Sequence, residues 1–228
     1  MTVPVLIMAG GRGLRLHPLT ETRPKPMLPV GTKPILQTII EGFVKQGFRD
    51  IWLSVNYKAE LIKAHFGDGK LFNCNITYLH ETEPLGTGGA LRLLKARAPV
   101  IVSNADVLVT MDYVDLVTQH RARCGNLATI CTALYQHQVA YGVIDSDSEG
   151  RLTELREKPI ESFQINAGIY VIDPRILEYA PVGRFDITEV LSAVPAGRVT
   201  VYPLADFWVD IGRFEDLTRA HIAALATE

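Results

Sequence analysis

The sequence predicts an α/β chain: a doubly wound, mostly parallel sheet with helices on both faces, followed by a smaller mixed β region. Apolar runs of strand length alternate with helix-length segments through the first half. Right-handed crossovers wind such units into one parallel layer covered on both sides. The second half instead holds closely spaced short strands, with turns rich in Gly, Asp and Ser.

Val3–Ala9 reads as a buried strand that stops at Gly10-Gly11. Lys33–Gln46 reads as a helix, with Thr32 as N-cap, Pro34 near its first turn and Gly47 as its stop. Asp50–Asn56 is a second strand, and Ala59–Phe66 a short helix ended by Gly67-Asp68-Gly69. Asn75–His80 is a third strand, Gly88–Ala96 opens a helix, and Pro99–Asn104 is a fourth strand ending just before Asp106. Beyond it, Leu127–Leu134, Tyr141–Asp145, Arg151–Arg156 and Gln164–Ile172 read as strands. Pro174–Tyr179 and Ile187–Val194 read as short helices, Val199–Pro203 as a strand and Arg213–Ala226 as a closing helix. With no repeat or linker in view, 1–228 is expected to form one domain, with a nucleotide half (1–110) and a second-substrate half (111–228).

A chain of 228 residues, 47% hydrophobic, can bury a substantial core. Its net charge of −2 gives no reason to expect a nucleic acid or an anionic membrane as partner. Three cysteines without a C-x-x-C spacing argue against a disulfide framework or a thiolate zinc site, and the expected location is the cytoplasm. No leader or membrane-length apolar run is read.

Ligands of doubly wound sheets lie beyond the carboxyl ends of the strands. The loop after the first strand, Gly10–Met27, reads GGRGLRLHPLTETRPKPM. Gly10, Gly11 and Gly13 remove side chains where a backbone must turn and meet a ligand, and their N–H groups can form an anion-binding concavity. Arg12, Arg15, Arg23 and Lys25 place four cations along the loop, and Pro24 and Pro26 restrain Lys25. Backbone donors, fixed cations and little bulk are what a triphosphate requires. A dinucleotide fingerprint fails, because Leu16 stands at the third glycine and the second strand ends in Asn56 rather than an acid. A P-loop fails for want of G-K-[ST].

This segment resembles the N-terminal signature of the sugar-1-phosphate nucleotidyltransferases, G-G-x-G-x-R-L-x-P-L-T followed by P-K-P. Here it stands as Gly10-Gly11-Arg12-Gly13-Leu14-Arg15-Leu16-His17-Pro18-Leu19-Thr20 and Pro24-Lys25-Pro26. The resemblance spans about Val5 to Leu217 and is closest to short members of guanylyl-transferring type. It implies a Rossmann-like, glycosyltransferase-A-like sheet. It also implies condensation of a nucleoside triphosphate with a sugar 1-phosphate, giving an NDP-sugar and pyrophosphate with Mg²⁺. The loop, from Ala9 through Gly10, Gly11, Arg12 and Gly13, then wraps the triphosphate. Arg15 stabilises its phosphates and Lys25 neutralises the reacting one.

Further motifs extend the resemblance. Pro84–Ala90 (PLGTGGA) matches a turn that lies against the base, with Gly86 and Thr87 beside it and Glu81 reading its edge. A carboxylate at Glu81 can accept two donors from guanine, which favours GTP; UTP or dTTP is the alternative. Asn104-Ala105-Asp106 matches the family's metal site, with Ala105 where glycine is commoner, and Trp208-Val209-Asp210-Ile211-Gly212 matches the segment bearing the second carboxylate. Asp106 and Asp210 are thus the expected Mg²⁺ ligands. Tyr141-Gly142, Glu157-Lys158-Pro159 and Asn166-Ala167-Gly168 resemble the sugar-phosphate side. There Gly142 faces the sugar, Glu157 binds its hydroxyls, Lys158 its phosphate, and Asn166 and Thr188 add contacts. Two rivals remain: a nucleotide or NDP-sugar sensor without turnover, and an NAD(P) oxidoreductase, against which the loop fingerprint already speaks. The sequence leaves the sugar and the oligomeric state open.

Overall fold

In the computed structural model, which describes residues 3–80 and 85–225, a seven-stranded sheet runs through the molecule in the order β12-β8-β11-β6-β1-β4-β5. The strands and helices of the first half are β1 (Val5–Met8), β2 (Pro29–Val30), β3 (Lys33–Pro34), α1 (Ile35–Lys45), β4 (Asp50–Val55), α2 (Ala59–Phe66), β5 (Asn75–His80), α3 (Gly89–Leu94) and β6 (Val100–Asn104). There follow β7 (Val107–Val109), α4 (Tyr113–Ala122), β8 (Ala128–Gln138), β9 (Val143–Ser146), β10 (Leu152–Arg156), β11 (Ile160–Ile172), α5 (Ile187–Ala193), β12 (Val199–Pro203), β13 (Trp208–Asp210) and α6 (Phe214–Leu225).

Strand β1 pairs in parallel with β4 on one side and β6 on the other, and β5 extends the parallel set beyond β4. Strand β11 runs antiparallel to both β6 and β8, and β12 lies parallel to β8. The sheet is therefore mostly parallel, with β11 alone reversed. Strand order reverses at β1, so a crevice opens beyond the carboxyl ends of β1 and β6.

Period-two alternation along the strands sends side chains to two layers. Val5 and Ile7 of β1 face a core with Ile35, Leu36, Phe43, Ile62, Leu116 and Val117 of α1, α2 and α4. Leu6, between them, faces Leu91, Leu94, Ile187 and Val190 of α3 and α5. Each such fully buried side chain contributes about 1.5–3 kcal/mol.

Three differences from the sequence expectation have local causes. Gly31, at φ 61°, turns β2 back on β3, so residues 33–34 are strand and the helix starts at Ile35 with Pro34, not Thr32, in the capping position. The helix α4, absent from the sequence reading, is capped by Asp112, whose carboxylate accepts from the N–H groups of Val114 (2.8 Å) and Asp115 (2.9 Å). Finally, β8 and β11 run several residues longer than expected, because their polar ends pair with each other from Ile160↔Gln138 to Asn166↔Thr132.

Candidate active site

The crevice at the strand reversal is walled by the loop after β1. Ala9 is buried and donates its N–H to the Ser54 carbonyl (2.8 Å), while the Gly10 carbonyl accepts from the Tyr57 N–H (3.4 Å). These bonds tie the loop to the end of β4. A side chain on Gly10 would press on Asn56 at 3.3 Å, whereas one on Gly11 would meet nothing within 4 Å. Gly11 is the glycine whose backbone stands open to the crevice.

Beyond it the loop closes on itself. Gly13 sits at φ 63°, and a Cβ there would lie 2.9 Å from Lys25 Cβ and 3.0 Å from Thr20 Cγ2. That absent methyl is the space in which the Lys25 stem packs. Thr20 Oγ1 donates to the Gly13 carbonyl (3.1 Å), and Tyr57 Oη donates to the Thr20 carbonyl (3.1 Å). The stem of Lys25 is held in place and the residue is 7% exposed.

Its ammonium meets both expected carboxylates. Lys25 Nζ donates to Asp106 Oδ2 and lies 4.0 Å from Asp210 Oδ1. Distant in sequence, the two acids are joined by a two-stranded ribbon. Strand β13 pairs antiparallel with β7, placing Asp210 opposite Val107, and the Ile211 N–H donates to the Asp106 carbonyl at 2.9 Å. Arg15 completes the group: a Cβ on Gly212 would lie 3.2 Å from Arg15 Nη1, so Gly212 admits the guanidinium.

Asp210 is the member whose carboxyl is shifted. Burial raises its carboxyl above the usual range, and the Asp106 charge adds to this; Lys25 and Arg15 pull it back. Its Oδ1 is buried and makes no hydrogen bond among the described residues. A buried carboxylate oxygen that lacks a hydrogen bond, beside a second carboxylate, fits a hard divalent cation. No cluster of three or more acids, His or Cys exists among the described residues, so such an ion needs oxygens from a ligand to complete its shell.

Two cavities meet at Asp106. One, of about 360 Å³, is lined by Ala9, Gly11, Arg12, Gly13, Arg15, Lys25 and Asp106. The other, of about 370 Å³, is lined by Gly10, Gly11, Ser54, Gly86, Thr87, Asn104, Asp106, Arg184 and Asp186. They share Met8, Gly11 and Asp106.

The turn before α3 borders the second cavity. Thr87 is fixed by Asp186, whose Oδ1 accepts from its N–H (2.8 Å) and hydroxyl (3.2 Å). Gly86 borders the cavity too, but its glycine has another cause: a Cβ would lie 2.2 Å from the Phe185 carbonyl oxygen. Its missing side chain makes room for Phe185, a reason the sequence does not reveal. Glu81 lies outside the described residues.

The residues expected on the sugar side do not gather at Asp106. Gly142 and Glu157 are neighbours, with a Gly142 Cβ position 3.0 Å from Glu157 Oε2. Lys158 is exposed at φ 47°, and Thr188 is exposed on α5. None of these four lines either cavity. Asn166 is engaged in the backbone: its Oδ1 accepts from the Gly168 N–H (3.0 Å) and its Nδ2 donates to Tyr170 Oη (2.7 Å). It holds the register shift of β11. There Gly168 (φ 75°) leaves Asn104 its space, and the Ala167 carbonyl accepts from Trp208 Nε1 at 3.0 Å. Asn166-Ala167-Gly168 thus braces the end of β6, which leads into Asp106, and β13, which carries Asp210. Arg184, Asp186, Asn104 and Ser54 were missed as wall residues; the available signal was Asp186, two residues before Thr188.

A glycine-lined crevice at the strand reversal, with cations on one wall and two carboxylates meeting Lys25 beside it, defines an α/β protein whose site suits an anionic ligand. The chain belongs to the nucleotidyl transferase family, whose pattern it matches over residues 4–227. It is 33% identical over 98% of its length to a UTP–glucose-1-phosphate uridylyltransferase of Synechocystis, and 36% identical over 92% to a mannose-1-phosphate guanylyltransferase catalytic subunit beta of Drosophila pseudoobscura pseudoobscura. It covers 63% and 59% of those relatives' own lengths. Among solved structures, HddC from Yersinia pseudotuberculosis superimposes with a TM-score of 0.77 at 28% identity, covering 98% of this chain and 100% of that one. A putative glucose-1-phosphate thymidylyltransferase from Bacillus anthracis shares the fold, with a TM-score of 0.78 at 24% identity over 98% and 95% of the two chains. No helix among the described residues is long and apolar enough to cross a membrane.

Proposed function

We propose that this chain joins a nucleoside triphosphate, preferably GTP, to a sugar 1-phosphate, releasing pyrophosphate, as a single domain working in the cytoplasm. The observation that carries the reading is the meeting of Lys25, Asp106 and Asp210 beneath the glycine loop. An oxygen of the sugar phosphate attacks the α-phosphorus, the new O–P bond forms, and the bond to the β-phosphate oxygen breaks with its electrons on pyrophosphate. The attacking oxygen is already anionic, so positioning and charge compensation dominate over proton transfer.

Arg12, Arg15 and the N–H groups about Gly11 and Gly13 hold the triphosphate in the first cavity. Lys25, fixed by its packed stem, offsets the charge that develops at the α-phosphate. Asp106 and Asp210 would hold Mg²⁺, which when bound supplies charge neutralisation and orientation of phosphate oxygens. Gly142, Glu157, Lys158, Asn166 and Thr188 are proposed to serve the sugar side.

Preference for GTP rests on Glu81 as a two-acceptor group for guanine. It is supported by the guanylyltransferase relatives at 32–36% identity and by the similarity to HddC complexed with GMP-PN. The uridylyltransferase relative keeps UTP, and with it dTTP, as a second reading. The test is a matrix of nucleoside triphosphates against hexose, hexosamine and heptose 1-phosphates, scored by Mg²⁺-dependent pyrophosphate release. GTP-dependent turnover is expected; a UTP or dTTP preference would replace the guanine reading. Nucleotide binding without turnover of any pair would make the chain a sensor.

A further inference from the structure

Three aspartates stand where a helical segment begins, and one of them is used differently. Asp112 caps α4, and Asp173 caps the short helical turn Pro174–Tyr179 by accepting from the Arg175 N–H (2.9 Å). Asp186 has the same extended backbone just before α5, yet its carboxylate makes no capping bond to that helix. Its Oδ1 accepts instead from the N–H (2.8 Å) and hydroxyl (3.2 Å) of Thr87, 99 residues away in sequence. Thr87 Oγ1 in turn accepts from the Ile187 N–H (3.0 Å), the first amide of α5. The aspartate that would ordinarily serve its own helix thus holds a threonine on another segment, and that threonine serves the helix.

The two segments are joined along their backbones as well. The Phe185 N–H donates to the Leu85 carbonyl (3.0 Å), and the Phe185 carbonyl accepts from the Gly88 N–H (3.1 Å). A Cβ on Gly86 or on Gly88 would lie 2.2 Å from an atom of Phe185, so both glycines permit this contact. Arg92 of α3 donates to the carbonyls of Ala180 (3.2 Å) and Gly183 (3.1 Å). Residues 85–88 and 185–187 therefore form one body, carried by α3 and α5 on the Leu6 side of the sheet. That body contributes Gly86, Thr87 and Asp186 to the cavity that also holds Gly11 and Asp106.

We infer that Asp186 is a positioning residue: through Thr87 it fixes the turn before α3 against the start of α5, so that the base side and the acceptor side of the cavity keep one spacing during transfer. This inference rests on the transferase reading above. A misplacement of about 1 Å between reacting groups costs about 100-fold in rate, so the link should be read in kcat.

The test is a double-mutant cycle of Asp186→Ala and Thr87→Val, with Asp186→Asn beside it. Each single variant of the cycle should lose roughly 10–100-fold in kcat per folded chain, with smaller changes in either KM. The double variant should lose no more than the worse single one, because both changes break the same link. Asp186→Asn keeps an oxygen for the Thr87 N–H and should fall between Asp186→Ala and the unaltered chain. Losses that multiply in the double variant overturn the inference. So does an unchanged kcat, whatever the thermal midpoint does, since that is the mark of a merely structural brace. If the unaltered chain turns over no substrate pair, the transferase reading fails separately, and amide hydrogen exchange decides. GTP should slow exchange at the Ile187 N–H in the unaltered chain and not in Asp186→Ala. The same slowing in both proteins, or none in the unaltered chain, overturns the assignment.

Discussion

The loop after β1 and the hairpin of β9 and β10 carry charged residues of similar kind, yet they are built in opposite ways. In the loop, Lys25 is buried with its stem against Gly13, and Thr20 and Tyr57 lock the turn. In the hairpin, Tyr141, Ile144, Leu152 and Leu155 are all exposed, and Arg156 spreads over Asp145, Glu154 and Glu161 at the surface. A step that is the same for every substrate pair profits from groups fixed in advance, because they cost no reorganisation during reaction. Choosing a sugar needs surfaces that can vary without disturbing the core.

The largest expected effect breaks this comparison at its rigid end. Lys25→Ala should lower kcat for pyrophosphate release by ~100-fold or more, the scale for losing one preorganised electrostatic contact. It also leaves Asp106 and Asp210 facing each other without their shared cation. Near-normal turnover would remove Lys25 from the mechanism and with it the case for a rigid region.

Two glycines with the same backbone sign sharpen the comparison. Gly13 and Gly150 both lie at positive φ, 63° and 78°. Alanine at Gly150 would meet nothing within 4 Å, so it carries backbone strain alone, about 1–2 kcal/mol. Alanine at Gly13 adds a collision with the Lys25 stem, and overpacking costs about 1–3 kcal/mol more. Denaturant unfolding of the two variants should therefore separate them by at least the collision term. Equal losses would show that the loop after β1 yields as easily as the hairpin turn.

At the compliant end, Glu157→Gln removes charge from an exposed side chain. Stability should hold to within about 0.5 kcal/mol. The KM for sugar 1-phosphate should rise roughly tenfold, as when a hydrogen bond to a charged group is weakened. A change in the triphosphate KM would instead place Glu157 with the nucleotide.

The same contrast explains how much could be read from sequence. Ala59–Phe66, Asn75–His80 and Val199–Pro203 have the bounds that periodicity and turn residues indicate. Helix α4 escaped because its inward stripe of Tyr113, Leu116, Val117 and His120 includes a histidine, which breaks the apolar pattern. The glycines of the β1 loop were visible as a group, but their separate reasons were not: one is open to the crevice, another makes room for a lysine stem. The convergence of Asp106 and Asp210 depends on the pairing of β7 with β13, which no local spacing encodes. Gly86 was legible as a special position, but its contact with Phe185 was not, since that contact is a property of the fold.

The smallest expected effect lies at the base of the second half, where rigidity returns. Here Asn126 Nδ2 contacts His120, Thr129 and Thr200 at 2.9–3.1 Å, and His120 Nδ1 lies 2.9 Å from Thr129 Oγ1. Burial lowers the His120 pKa below its usual 6.5; the Asp173 charge opposes this and Arg121 assists it. A histidine whose folded pKa is depressed binds fewer protons folded than unfolded. Its neutral form supports the fold fully above pH 6.5, and that support is lost as pH falls from 6.5 through the folded value. Urea unfolding between pH 8 and pH 5 should show the loss in the unaltered chain, and His120→Gln, which cannot titrate, should show less of it. The gap between the two proteins should therefore shrink on acidification. A gap independent of pH would mean that this base is as open to solvent as the hairpin above it, and that rigidity is confined to the neighbourhood of Lys25.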